Sequence, residues 1–98
     1  MGDNAPQNTE DFYISLKSKL EENHNFPEDY LYKFIILNDS EKLTEIYKVF
    51  DQLKYSITTR ESSNGKYISC SIQCFVLDAD QVIFLYREVA KIEGVIML

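Results

Sequence analysis

Two runs of alternating polar and apolar residues, separated by an Asn-Gly pair, constrain this chain more than any other feature in it. Over Lys66–Leu77, Ile68, Cys70, Ile72, Cys74 and Val76 share one parity, while Tyr67, Ser69, Ser71, Gln73 and Phe75 share the other. Period-two patterning of this kind belongs to a strand with one face buried and one face wet. Upstream, from Tyr55 to Ser62, Tyr55, Ile57 and Thr59 alternate with Ser56, Thr58 and Arg60. Asn64-Gly65 lies between the runs, and both residues tolerate positive φ, which is the strongest short-range hairpin signal. A β-hairpin with a defined inner face follows, and that face needs other elements to cover it.

The covering elements read directly from the neighbouring sequence. Asp29–Leu37 is rich in aromatic and β-branched residues and apolar on both parities, as in a central strand. Tyr30, Tyr32, Phe34 and Ile36 form its more uniform face. Lys33 shares the odd parity with Leu31, Ile35 and Leu37, so the odd parity is expected on the side without helices. Asn38-Asp39-Ser40 offers capping oxygens to a helix whose stripe is Leu43, Ile46, Tyr47, Phe50 and Leu53. Asp78-x-x-Gln81 has the form of a capping box. It precedes a helix with Val82, Leu85, Tyr86, Val89 and Ile92 inward, an exit at Gly94 and a last strand over Val95–Leu98. At the other end, Phe12, Tyr13, Leu16 and Leu20 mark a helix over Thr9–Asn23, which Pro27 prevents from continuing. Residues 1–8 are expected as a disordered tail, 9–25 as a helical extension and 26–98 as the domain proper. After the first helix the order is strand, helix, strand, strand, helix, strand. Right-handed crossovers then predict a ferredoxin-like βαββαβ fold of the α+β class, with a four-stranded antiparallel sheet in the order 4-1-3-2 and two helices on one face.

Composition removes several function classes. A chain of 98 residues buries about 65% of its extended surface, enough for one core and not for two domains. The three glycines, Gly2, Gly65 and Gly94, are too scattered for a phosphate-cradling loop. His24, Cys70 and Cys74 cannot make a four-ligand zinc site without carboxylates, so neither metal nor cofactor is expected. His24 lies in a polar stretch and is expected to be solvated. The cysteines, four apart in a strand, have Cα atoms about 13 Å apart, beyond the ~7 Å reach of a disulfide. They are expected as buried thiols. No apolar run approaches 18 residues, so a reduced, cytoplasmic protein without a membrane segment is expected. The net charge is −6. Residues 1–29 hold seven acids against two lysines, and residues 30–98 hold nine acids against eight bases. Nucleic-acid binding is not expected: the signal of a clustered basic surface is weak, and Ser69, Ser71 and Gln73 do not match the aromatic pattern on which RNA-recognition domains stack bases.

Three stretches resemble a known family. Phe26-Pro27 with Tyr32-Lys33, the hairpin Ser62–Ile72 (SSNGKYISCSI), and Gln81–Leu98 (QVIFLYREVAKIEGVIML) are similar to the YbeD-like family of small bacterial proteins, in the right order over about 70 of the 98 positions. The resemblance implies a βαββαβ fold similar to ACT regulatory domains, with no established activity. Two departures stand out. The segment before Phe26 is longer than the family's, and Asn38-Asp39-Ser40 lacks the glycine that amino-acid-binding ACT domains place in that loop.

The candidate site is the sheet face without helices. Its expected partner-binding residues are Leu31, Lys33, Ile35, Arg60, Tyr67, Ser69 and Phe75, on a surface with apolar patches at one end, hydroxyls in the middle and two cations. Leu31, Ile35 and Phe75 would be exposed together, which marks contact surfaces. The occupant is a partner protein, a second subunit, or the chain's own acidic Thr9–Asn23 helix lying over Lys33 and Arg60. In the hairpin, Asn64 and Lys66 are candidates to grip a carboxylate or phosphate, although the same residues serve turn chemistry. No catalytic residue is expected. The loop Leu37–Ser40 has neither the arginine nor the glycine an acylphosphatase needs, and Ser62, Ser63 and Ser69 have no histidine near them in sequence. The expectation is a non-enzymatic regulatory or adaptor protein, monomer or homodimer. The alternative is an ACT-type small-ligand sensor acting at a dimer interface.

Overall fold

The computed structural model describes residues 5–98, with side chains from residue 10 onward. In chain order the elements are α1 (Ala5–Asn23), β1 (Glu28–Leu37), α2 (Ser40–Phe50), β2 (Tyr55–Glu61), β3 (Tyr67–Val76), α3 (Ala79–Ala90) and β4 (Ile96–Met97). The strands form one antiparallel sheet in the order β2-β3-β1-β4. Read from the other edge this is the expected 4-1-3-2, and the fold is ferredoxin-like α+β.

Local chemistry fixes the helix starts. Asp39 accepts from the Glu41 amide at 2.9 Å. At α3 Asp78 Oδ1 accepts from the Gln81 amide at 2.8 Å, and Gln81 Oε1 reaches back one residue past the cap to accept from the Leu77 amide at 2.7 Å. Asp78→Ala is therefore expected to cost about 1 kcal/mol of stability, read from the urea midpoint. An unchanged midpoint would show that the cap does not hold α3.

The hairpin departs from expectation in one detail. Of the Asn-Gly pair only Gly65 adopts positive φ, at +74°. The Gly65 amide donates to Ser62 O at 2.9 Å and the Ser62 amide to Tyr67 O at 2.8 Å. Four residues, Ser63 to Lys66, thus make the connection rather than a two-residue turn.

The core lies between the sheet and α2 and α3. β1 contributes Tyr32, Phe34 and Ile36 and β3 its Ile68–Val76 parity; α2 adds Ile46 and Phe50, and α3 adds Val82, Leu85 and Val89. Tyr32 is fully buried, and its hydroxyl donates to Val82 O at 3.1 Å. Cys70 and Cys74 are buried free thiols, as expected.

Several expectations fail for physical reasons. α1 begins at Ala5 rather than Thr9, inside the stretch expected as a tail; residues 1–4 lie outside those described. More consequentially, α1 does not cover the open sheet face. It packs on α3, with Leu20 and Ile83 buried. The charges match there: Lys17 meets Asp80 at 3.1 Å, and Arg87 makes a two-pronged contact with Glu10 at 2.9 and 3.0 Å while its guanidinium lies 4.1 Å from the Tyr13 ring centroid. The same guanidinium holds the Glu10 carboxyl below its ordinary range. An acidic amphipathic helix thus finds apolar contact, a cation for Glu10 and a carboxylate for Lys17 on α3, and leaves Lys33 and Arg60 uncovered. Phe12 and Tyr47, expected inward, are exposed. β4 is only two residues long. His24 is not free in solvent: it is half-buried, hydrogen-bonded to the Glu28 carboxylate and set against the rings of Phe26 and Tyr30.

Candidate functional site

The register of the sheet arranges the open face in rows. Glu28↔Val76 through Leu37↔Tyr67 pairs β1 with β3, and Tyr55↔Cys74 through Glu61↔Ile68 pairs β2 with β3. Side chains of one parity therefore stand side by side across three strands. One row is Arg60, Ser69 and Ile35, extended by Ile96 of β4; the next is Thr58, Ser71 and Lys33; the third is Ser56, Gln73 and Leu31. Leu37 with Tyr67, and Asp29 with Phe75, close the two ends.

All seven residues expected to bind a partner, Leu31, Lys33, Ile35, Arg60, Tyr67, Ser69 and Phe75, have the outward parity. The face exposes unusually large apolar groups: Leu31 is 53% exposed, Phe75 41% and Ile96 50%. They separate into two ends with a hydroxyl-bearing middle, because β1 contributes its leucines and isoleucine while the centre of β3 contributes Ser69 and Ser71.

Two open concavities lie on this face, both bordering β2. The first, about 450 Å³, brings together Ile35, Arg60, Tyr67 and Ser69, with Glu61, Ser62 and Ser63 at its rim. The second, about 590 Å³, is formed by Asp29, Lys54, Tyr55, Ser56, Gln73 and Phe75. Four of the expected seven thus share one concavity, Phe75 belongs to the other, and Leu31 and Lys33 line neither. Parity places Ser56 on this face but does not reveal that it and Lys54 wall a concavity, which depends on sheet twist and on how neighbouring side chains end.

The hairpin candidates separate. Asn64 Oδ1 accepts from Ser62 Oγ at 2.8 Å and from the Lys66 amide at 3.0 Å, so the turn itself uses that oxygen. Lys66 Nζ lies 5.6 Å from the Tyr67 ring centroid, within cation–π range. It adds a second cation beside the Arg60 concavity.

On the opposite side, pattern reading missed an aromatic cluster. Tyr30, Tyr32 and Tyr86 meet edge to face, and the hydroxyls of Tyr30 and Tyr86 are 3.0 Å apart. Burial above all raises the phenol pKa of both Tyr32 and Tyr86. Phe12, Tyr13, Leu16, Tyr86, Met97 and Leu98 surround a neighbouring apolar hollow of about 290 Å³. No group of three or more His, Cys, Asp or Glu that could hold a metal occurs among the described residues. No described helix is long and apolar enough to cross a membrane.

A family model described as a protein of unknown function (DUF493) matches residues 21–98. A UPF0250 protein of Buchnera aphidicola (subspecies Acyrthosiphon pisum, strain Tuc7) is 35% identical over 86 residues, covering 85% of this chain and 99% of the relative. A UPF0250 protein of Haemophilus influenzae (strain PittEE) is 33% identical over 84 residues, covering 83% and 91%. Among solved structures, protein HP0495 from H. pylori superposes with a TM-score of 0.62 at 16% identity, over 78% of this chain and 86% of that one. The ACT domain from GTP pyrophosphokinase of Chlorobium tepidum superposes with a TM-score of 0.51 at 19% identity, over 72% and 100%. Both are similar in fold. The matched family region starts at Glu21, close to the C-terminal end of α1, so Ala5–Leu20 of that helix lies outside it.

Proposed function

The chain belongs to the DUF493 family, and from that premise we propose that it is a non-enzymatic regulatory or adaptor protein of the bacterial cytoplasm, binding a protein partner through the open sheet face. One observation carries this reading: Leu31, Phe75 and Ile96 are among the exposed large apolar residues and all belong to the face that no helix covers. Singly, such residues are ordinary; grouped on one face with hydroxyls and cations between them, they have the composition of a contact surface. The buried free thiols of Cys70 and Cys74 suit a reducing compartment.

The test uses a paired variant, Leu31→Arg with Phe75→Arg, at positions that contribute nothing to the core. Immobilised wild-type protein is expected to retain from bacterial lysate a protein that the paired variant, equally folded by circular dichroism, does not retain. Identical captures by the two proteins would overturn the reading. An ACT-type ligand sensor, the competing reading that the shared fold suggests, would instead show a melting temperature that rises with an amino acid or other metabolite, because binding only the native state stabilises it.

A further inference from the structure

The distribution of charge across the molecule is uneven in a way the net charge hides. The helical side carries Glu10, Asp11, Glu21, Glu22, Glu41, Glu45, Asp80 and Glu88. Of its cations, Lys17, Arg87 and Lys91 are engaged in ion pairs with helical carboxylates, while among the described residues Lys19, Lys42 and Lys48 are in none and are outnumbered by these acids. On the open face and its rim stand Lys33, Lys54, Arg60 and Lys66, and among the described residues none of these four is in an ion pair. The carboxylates bordering the two concavities are Asp29 and Glu61.

β2 supplies a second, independent feature. It lies at an edge of the sheet, seven residues long against two for β4. The Phe75 amide donates to Lys54 O at 3.1 Å and the Ser62 amide to Tyr67 O at 2.8 Å, so even-numbered residues direct their backbone groups to β3. By alternation, Tyr55, Ile57, Thr59 and Glu61 direct theirs to the open edge. Such an edge accepts a further extended chain. Lys54, in one concavity, and Arg60, in the other, share a parity and stand about 20 Å apart at 3.3 Å per residue.

We propose that the occupant of the open face is an acidic, extended segment of another protein, paired along the free edge of β2, with one carboxylate near Lys54 and a second, six residues away, near Arg60. This rests on the docking role proposed above and names the chemistry of its partner. A nucleic acid fits less well, since the centre of β3 is Ser69, Ser71 and Gln73 rather than aromatic and the rest of the molecule is acidic. A second copy would bring the same cations, Lys54 and Arg60, to the shared edge.

Selection of a displayed library of random nonapeptides against the full chain tests this. The recovered pool is expected to be enriched in Asp and Glu, and Lys54→Glu or Arg60→Glu is expected to weaken a recovered peptide about tenfold each. Thr59→Pro, which removes an outward amide from the edge, is expected to weaken it without loss of the circular dichroism spectrum. Backbone amide shifts are expected at Tyr55, Ile57, Thr59 and Glu61. A neutral or basic pool, no recovered peptide, indifference to Arg60→Glu, or shifts confined to the helical side would overturn the proposal. Tighter binding of a nine-nucleotide RNA, or dimerisation through β2 in sedimentation, would also overturn it. The two readings fail separately. If the Leu31/Phe75 variant loses a lysate partner while the selected pool is neutral, only the charge assignment falls. If that variant loses nothing, the docking surface itself falls.

Discussion

Phe34→Ala is expected to destabilise the protein by about 3–5 kcal/mol, a large share of the roughly 5–15 kcal/mol that a domain of this size has available. Phe34 is fully buried on β1, where it pairs with Cys70 of β3 and Met97 of β4. Its ring lies 5.7 Å from that of Tyr32 and 6.2 Å from that of Tyr86. Removing it opens a cavity where both central strands and α3 meet, and β-sheet backbone cannot collapse to fill it. One strand over, Ser71→Ala on the open face is expected to stay within about 0.5 kcal/mol. Urea denaturation of both variants checks the contrast. Equal midpoints would mean that the inner and outer parities are not distinguished as described.

The second large effect is alkaline unfolding. Four groups prefer to stay protonated in the folded chain: burial raises Cys70, Cys74, Tyr32 and Tyr86 above their ordinary values, with smaller contributions from Asp29 at Cys74, from Tyr86 at Tyr32 and from Tyr30 at Tyr86. Below the unfolded pKa values both states hold these protons, and the burial of the neutral groups contributes in full. Above pH about 9 for the thiols and about 10 for the phenols, the unfolded chain releases protons that the folded chain still holds. Stability therefore falls as pH rises through this window, by roughly 1.4 kcal/mol per pH unit for each group. Above pH about 10 the two phenols together account for a loss of about 3 kcal/mol per unit, to which the thiols add only between their unfolded and folded values. Denaturation midpoints at pH 8, 9, 10 and 11 are expected to decline steeply from the second point on, and less steeply in Cys70→Ala/Cys74→Ala. A flat profile would show that these groups are accessible to hydroxide in the native state.

The sequence carries most of this architecture because an antiparallel strand with one wet face writes its period into the residues. β3 is the clearest case, where Ile68 to Val76 and Tyr67 to Phe75 sort without ambiguity. β1 is apolar on both parities, and Lys33 alone indicates which side faces out; that one residue suffices to place Leu31 and Ile35 correctly. What is not written is where an amphipathic helix docks. Phe12, Tyr13, Leu16 and Leu20 say that α1 needs an apolar neighbour, not that the neighbour is α3, and the Glu10–Arg87 pair spans 77 positions. Burial of Ile83 has the same origin, since a position on the outer side of α3 becomes interior only once α1 is in place. The site follows the same division. Parity places its seven residues on one face, while the grouping of Ile35, Arg60, Tyr67 and Ser69 in one concavity depends on register across three strands. Asn64 belongs to the turn because its side-chain oxygen finds two donors within two residues, a local competition that spacing does not resolve.

The ladder between β1 and β3 joins residues far apart in the chain, from 30 positions at Leu37↔Tyr67 to 48 at Glu28↔Val76. During synthesis, which proceeds at about 5–20 residues per second, β1 therefore waits about two to six seconds before the first residue of its partner even exists. Through that interval Tyr30–Leu37 is an eight-residue stretch of aromatic and branched side chains, the composition from which nascent chains aggregate. Its single charge is Lys33, at the middle of the stretch, where a cation opposes stacking of one growing chain on another. The lysine that later marks the outer face of the finished sheet is also the residue that keeps the unfinished strand apart from its copies.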